Sequence, residues 1–125
     1  MTAGSNSGLL GAWGESLAGA YLRDRRYELL AANYRCRGGE VDIIARKGRY
    51  IAFVEVKLRR SAAFAEAREF VDTRKQQRVI LAAETWLSKH PTKLQPRFDV
   101  IEVYAPEGLQ TKDPIINHIE DAFSQ

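Results

Sequence analysis

Asp42 and the run Glu55-Val56-Lys57 place two acids and a lysine inside apolar segments, Val41-Asp42-Ile43-Ile44-Ala45 and Ile51-Ala52-Phe53-Val54-Glu55-Val56-Lys57. An unpaired buried charge is costly, so such groups are normally paired or bound to a metal. Two carboxylates that converge beside a lysine can hold a divalent cation and steer a water at a phosphodiester. Whether they converge depends on how the two segments meet.

Both segments read as strands, about 40–46 and 50–58, joined by a tight turn at Gly48-Arg49. Side chains alternate along a strand. Ala52, Val54, Val56 and Leu58 therefore share one face, and Ile51, Phe53, Glu55 and Lys57 share the other. A two-residue turn with glycine first is the type II′ arrangement. It sets Asp42 opposite Glu55, Ile44 opposite Phe53, Ile43 opposite Val54 and Val41 opposite Val56. A slip of one residue would put Asp42 opposite Val54, among apolar neighbours. In the favoured register the two carboxylates stand side by side, with about 5 Å between Cβ atoms. Like charges so placed destabilise a sheet unless a cation lies between them. A salt-bridged hairpin end is the competing reading. The same register puts Glu40 opposite Lys57, which accounts for the lysine without chemistry but leaves Asp42 against Glu55 unexplained.

The elements around this hairpin follow from periodicity. Leu10, Trp13, Leu17 and Tyr21 recur at helical spacing, which predicts a helix over about 9–26. It ends in Arg23, Arg25 and Arg26, suited to the negative end of a helix dipole. Residues 27–34 read as a first strand and Cys36-Arg37-Gly38-Gly39 as a loop. A second helix is predicted over 73–89, with Thr73 and Gln76 as a capping box. Val79, Ile80, Ala83, Trp86 and Leu87 form its apolar stripe, and His90-Pro91 stops it. Residues 97–104 alternate as a fourth strand, and 115–123 are open between a short strand and a helical turn. The order helix-strand-strand-strand-helix-strand is that of an α/β domain, a small mixed sheet flanked by helices.

The 125 residues suffice for one core. The expected organisation is a loose tail over 1–8 and a single domain over 9–125. An apolar share of 45% and a charged share of 28% are those of a globular protein rather than a disordered one. No apolar run has the length of a membrane span, and no signal segment is evident, so no membrane partner is expected and a cytoplasmic location is the default. The lone Cys36 makes neither an internal disulfide nor a zinc cluster. The net charge is +3. Its distribution says more than its size. Residues 1–60 hold eleven Lys/Arg against six Asp/Glu, whereas the rest hold eight against ten. The positive excess accompanies the acidic pair, which fits either a solvated basic surface or a nucleic-acid partner.

Gly39-Glu40-Val41-Asp42-Ile43-Ile44-Ala45, followed by Phe53-Val54-Glu55-Val56-Lys57-Leu58-Arg59, closely resembles the YraN-like family of small bacterial proteins. These are predicted endonucleases with the restriction-endonuclease-like core shared with archaeal Holliday-junction resolvases. The likeness runs from Gly11-Ala12-Trp13-Gly14-Glu15 to Arg97-Phe98-Asp99-Val100; its central block is specific and its flanks softer. The resemblance implies a metal-dependent endonuclease acting on DNA, branched or single-stranded, with Mg²⁺ or Mn²⁺ as cofactor. Asp42 and Glu55 would be metal ligands, with the Val56 carbonyl as a third, and Lys57 would position the attacking water. Glu15 matches the acid that often completes such sites. The usual proline before the motif aspartate is Val41 here. Nucleases of this fold are often dimers because two sites cut two strands, so a homodimer is open. A non-catalytic nucleic-acid-binding module on the same scaffold is the alternative, and a protein-interaction adaptor a more distant one.

The other candidates each have a plainer reading. Glu15 sits at the edge of the apolar stripe, where an ordinary boundary glutamate also fits. Gly11 and Gly14 are poor helix formers that would allow a close approach to the sheet or a phosphate. Lys75 and Arg78 lie near a helix start, which attracts phosphates, but an exposed polar face explains them as well. Arg59, Arg60, Arg46 and Arg37, with Arg35 and Lys47, flank the site and could track a phosphate backbone. Asp99 could support the site from behind its ligands, but a structural salt bridge with Arg97 is the preferred reading. Tyr34 and Tyr50 are candidates for base stacking, whereas Trp13, Tyr21 and Trp86 fit helix cores. His90 and His118 have no partners at metal-ligand spacing.

Overall fold

A computed structural model describes residues 3–60 and 72–124. Helix α1 spans Ala3–Asp24, and strands β1, β2 and β3 span Glu28–Cys36, Gly39–Lys47 and Tyr50–Arg59. Helix α2 spans Thr73–Lys89, followed by β4 over Gln95–Tyr104, a 3₁₀ turn over Gly108–Gln110, and β5 over Ile115–Phe123. The strands lie in the order β1-β2-β3-β4-β5, all antiparallel except the parallel pair β3–β4, which α2 connects. The architecture is therefore mixed α/β, a sheet flanked by two helices. No helix among the described residues is long and apolar enough to cross a membrane.

The sheet is apolar on both faces, and each face has its own helix. Ile43, Ala45, Ala52 and Val54 pack with Ala18 and Leu22 of α1, with Trp13, Leu17, Val56 and Leu58 around them. Ile44, Ile51, Phe53 and Phe98 pack with Val79, Ala82 and Ala83 of α2. This is the period-two split expected of β3, and it explains why neither face of that strand could be left to solvent. Gly14 lets α1 lie on β3, since a Cβ there would stand 3.2 Å from Leu58 Cγ. Gly11 meets nothing within 4 Å and serves no such approach.

Element ends depart from the sequence pattern for local reasons. α1 begins at Ala3 rather than near residue 9, and ends at Asp24 because Arg26 turns left-handed (φ 72°). β1 continues to Cys36, which pairs with Gly39 across the turn, so Cys36 is strand and not loop. The α2 cap is Asp72, one residue before the expected Thr73. Its Oδ1 accepts the Lys75 N–H at 2.9 Å, and a carboxylate there also suits the helix dipole. β4 begins at Gln95 because Tyr50 pairs with it in the parallel ladder. The open segment 115–123 is a strand, pairing with β4 from Phe98↔Phe123 to Tyr104↔Ile115.

β2 starts hard against α2. A Cβ on Gly39 would stand 2.8 Å from the Arg78 carbonyl oxygen and 2.9 Å from the Ala82 nitrogen, both backbone atoms. Gly39→Ala is therefore expected to destabilise the protein by about 1–3 kcal/mol, the usual cost of overpacking. Urea melts of the two proteins would check it; an unchanged midpoint would mean that α2 shifts freely.

Candidate active site at the opening between β2 and β3

The hairpin register is the expected one where the turn governs it. Gly48 is left-handed (φ 60°), Arg49 is not, and pairs run from Lys47↔Tyr50 to Ile43↔Val54. Beyond that last pair the ladder stops. A continued ladder would give the Val56 N–H to Val41; instead Asp42 Oδ2 accepts it at 2.8 Å. Val41 also changes side. It was expected to share a face with Ile43, yet it packs with Ile44 and Val79 under α2. The strands thus part at Asp42, and a side-chain carboxylate replaces a backbone acceptor. A strand residue aims its N–H and C=O at the same edge. The Val56 carbonyl therefore faces this opening too.

Glu55 reaches the same place from β3. It is 4% exposed, and its Oε1 is buried without a hydrogen-bond partner. Burial, and then the Asp42 carboxylate, push Glu55 up to about 8, against the pull of Lys75 and Lys57. Burial raises Asp42 as well, but the Val56 N–H, Lys75 and the hydrogen bond from Glu55 draw it back. Both acids are therefore held above their ordinary values, with burial the chief cause for each. The expected meeting of Asp42 and Glu55 holds although the ladder between them does not.

A third acid arrives from α1. Burial and the neighbouring Asp42 raise Glu15, while the Asn33 amide and Arg35 hold it down. Among the described residues no three His, Cys, Asp or Glu side chains close into a preformed metal cage. The converging set is the Asp42–Glu55 pair, flanked by Glu15. Arg35 is one of the basic residues expected to flank the site, whereas Asn33 is a part of it that the sequence reading does not include. One signal was legible: Asn33 is a turn-former inside a strand pattern, and it adopts the left-handed backbone (φ 52°) that asparagine tolerates better than most residues.

The basic candidates divide. Lys57 has no hydrogen-bond or ion-pair partner among the described residues. The expected alternative, a Glu40–Lys57 pair, is not formed. Glu40 is held by Lys75 at 3.0 Å and Arg78 at 2.9 Å, because α2 starts directly over it. The Lys75 hydrogen bond keeps Glu40 below its ordinary value. Lys75 also lies 3.5 Å from Glu55 Oε2, so this lysine belongs to the acid cluster. Arg59 pairs with buried Glu102 at 3.4 Å, and Glu102 also accepts from Tyr104 and Asn117. Arg60 and Arg37 are exposed, beyond β3 and in the β1–β2 turn. Arg46 does not flank the acids: it pairs with Glu28 at 2.8 Å near the Gly48 end of the hairpin, about 13 Å along the strand from Asp42.

Asp99 and His118 belong to a different hydrogen-bond network. Asp99 accepts two hydrogen bonds from Arg97, at 2.9 and 2.7 Å, one from His118 Nε2 at 2.8 Å and one from the Asp121 N–H. The expected Arg97–Asp99 bridge is thus present and extended. Tyr34 packs edge-on against Trp86, and the Tyr50 ring has the Arg97 guanidinium 4.9 Å from its centroid.

Comparisons place this arrangement among known sequences. A UPF0102 protein of Geobacter sulfurreducens is 45% identical over 116 residues, 92% of this chain and 88% of the relative. One from Caldanaerobacter subterraneus subsp. tengcongensis is 42% identical over 94% of this chain and 97% of its own. One from Nocardia farcinica is 44% identical over 91% and 88%. A family model described as the uncharacterised protein family UPF0102 matches residues 14–103, from the end of the Gly11–Gly14 turn of α1 through the acid pair to β4. The chain therefore belongs to the uncharacterised protein family UPF0102.

Proposed function

We propose that this protein is a metal-dependent endonuclease that hydrolyses phosphodiester bonds in DNA. The observation that carries the reading is Glu55 Oε1, a buried carboxylate oxygen with no partner, beside the Asp42 carboxylate at an opening in the sheet. Such an atom is costly unless something binds it. Two carboxylates and a carbonyl that face one opening fit Mg²⁺ or Mn²⁺, which take oxygen ligands and keep several waters. The resemblance to the YraN-like family points the same way. Asp42, Glu55 and the Val56 carbonyl would hold the ion, which when bound supplies Lewis acidity and a water of lowered pKa.

The chain's own groups do the rest. The Val56 N–H fixes the Asp42 carboxylate, so the pair is already oriented. Lys57, one step along the same face and not committed to Glu40, donates hydrogen bonds to the attacking water and to the phosphate oxygens as charge builds on them. Glu15 reaches Asp42 from α1 and can take up a proton as the water is deprotonated, since it is already raised. Arg59, Arg60 and Arg37 lie at the same end of the sheet and suit the flanking phosphates.

The test is cleavage of duplex, single-stranded and four-way-junction DNA in Mg²⁺ or Mn²⁺. Lys57→Ala is expected to lower the rate about 10²–10³-fold, as for other groups that meet transition-state charge. Lys75 favours a second reading, a non-catalytic nucleic-acid-binding module, because it already offsets part of the acid charge. That reading gives salt-sensitive binding that survives loss of Asp42, and no turnover in either metal.

A further inference from the structure

A groove of about 290 Å³ runs between α1 and β1 and begins at the acid site. Glu15, Ser16, Gly19 and Arg23 form its helical wall, Asn33 stands at its inner end and Ile43 lines it as well. β1 is irregular here. The register shifts between Leu29 and Ala31, and the left-handed Asn33 brings Ala32 and Asn33 to the same groove despite strand alternation. Such irregularities re-aim side chains beside functional sites. The wall is kept low by Gly19. A Cβ there would be 3.5 Å from Leu29 Cδ1 and 4.0 Å from an Arg23 guanidinium nitrogen, so the arginine folds over the glycine at the outer end.

We infer that this groove seats a nucleotide of an unpaired strand next to the cleaved bond, so that the enzyme acts on single-stranded DNA; this rests on the nuclease reading above. The groove starts at Glu15, which touches Asp42, so whatever lies in it is contiguous with the reacting phosphate. Its volume is that of one nucleoside rather than a duplex. Its walls pair apolar surface for a base with an amide and a hydroxyl for the base edge. Arg23, about 12 Å along the helix from Glu15, meets a neighbouring phosphate. A base within a duplex must be unstacked and unpaired before it can enter such a space, at a cost of a few kcal/mol. An unpaired base enters without that cost.

The experiment is fluorescence anisotropy of a labelled oligothymidylate and of a blunt duplex, in Ca²⁺, with wild type, Gly19→Leu and Arg23→Ala. Leucine at 19 fills the groove and is a better helix former than glycine. Gly19→Leu is expected to weaken oligothymidylate binding about tenfold, the loss of the apolar contact that one seated base makes with the groove, and to leave duplex binding within about twofold. Arg23→Ala, at an exposed position, is expected to reduce the salt slope of oligothymidylate binding by about 0.7, one phosphate contact. Unchanged oligothymidylate affinity in Gly19→Leu, or an unchanged slope in Arg23→Ala, overturns the groove. The nuclease reading fails separately: if no protein cleaves in Mg²⁺ or Mn²⁺ but the binding differences appear, the groove stands without it.

Discussion

Glu55→Gln is expected to abolish metal-dependent cleavage and at the same time to stabilise the metal-free protein. The activity loss should exceed the roughly 10–100-fold that removing an outer partner of a metal site costs, because Glu55 would be a ligand itself. The stability gain has the opposite sign for a physical reason. A buried carboxylate beside another is unfavourable, and glutamine keeps the shape and can still donate to Asp42. The pH dependence follows from linkage. Glu55 is raised from 4.5 to about 8, so between those values the folded state holds a proton that the unfolded state has lost. Stability therefore falls as pH rises through that window. Thermal melts of the wild type in EDTA should show this decline, Mn²⁺ should reverse it near pH 8, and Glu55→Gln should flatten it. A mutant that cleaves like the wild type would remove Glu55 from the metal. A mutant that loses activity and also melts lower would make Glu55 a structural residue.

Asp99→Ala is expected to be the most destabilising single change in the sheet, by about 3–5 kcal/mol, the range for breaking a buried ion pair. Asp99 is fully buried and joins β4 to β5 through Arg97, His118 and the Asp121 N–H. Arg97 donates onward to Tyr27 at 2.6 Å, and His118 meets Tyr21 of α1 at 3.2 Å. Alanine would leave both the guanidinium and the imidazole buried without their acceptor. Burial alone would raise Asp99, but hydrogen bonds from His118, Arg97 and Asp121 outweigh it and hold it below 3.8. With the folded value depressed, the contribution is complete above the unfolded value and disappears as pH falls through the folded one. Acid titration of wild type and mutant should converge below pH 3.8. A loss under about 1 kcal/mol in urea, the scale of a surface pair, would show that the network adds little.

These two carboxylates, one strained and one satisfied, were not equally legible. Asp99 beside Arg97 is a local pattern, two residues apart on one strand face, and alternation suffices to suggest the pair. His118 joins it only because β5 returns beside β4, which a segment open between strand and helical turn could not reveal.

For the acid site, the sequence by itself determined what short-range geometry controls. Gly48-Arg49 and strand alternation set the pairing from Lys47↔Tyr50 to Ile43↔Val54, and apolar residues on both faces of β3 called for cover on each, which the fold supplies with one helix per face. Those constraints act within a few residues, so they can be read along the chain. The tertiary structure alone decided where that pairing ends. The opening at Asp42, the turning of Val41 toward α2 and the capture of Glu40 by Lys75 and Arg78 all depend on where α2 lands, 35 to 38 residues further on. The same placement leaves Lys57 without the structural partner that alternation had offered it. Long-range packing thus separated the two readings of the lysine, because an ion pair forms with whichever charge the fold brings near, not with the one that strand register places opposite.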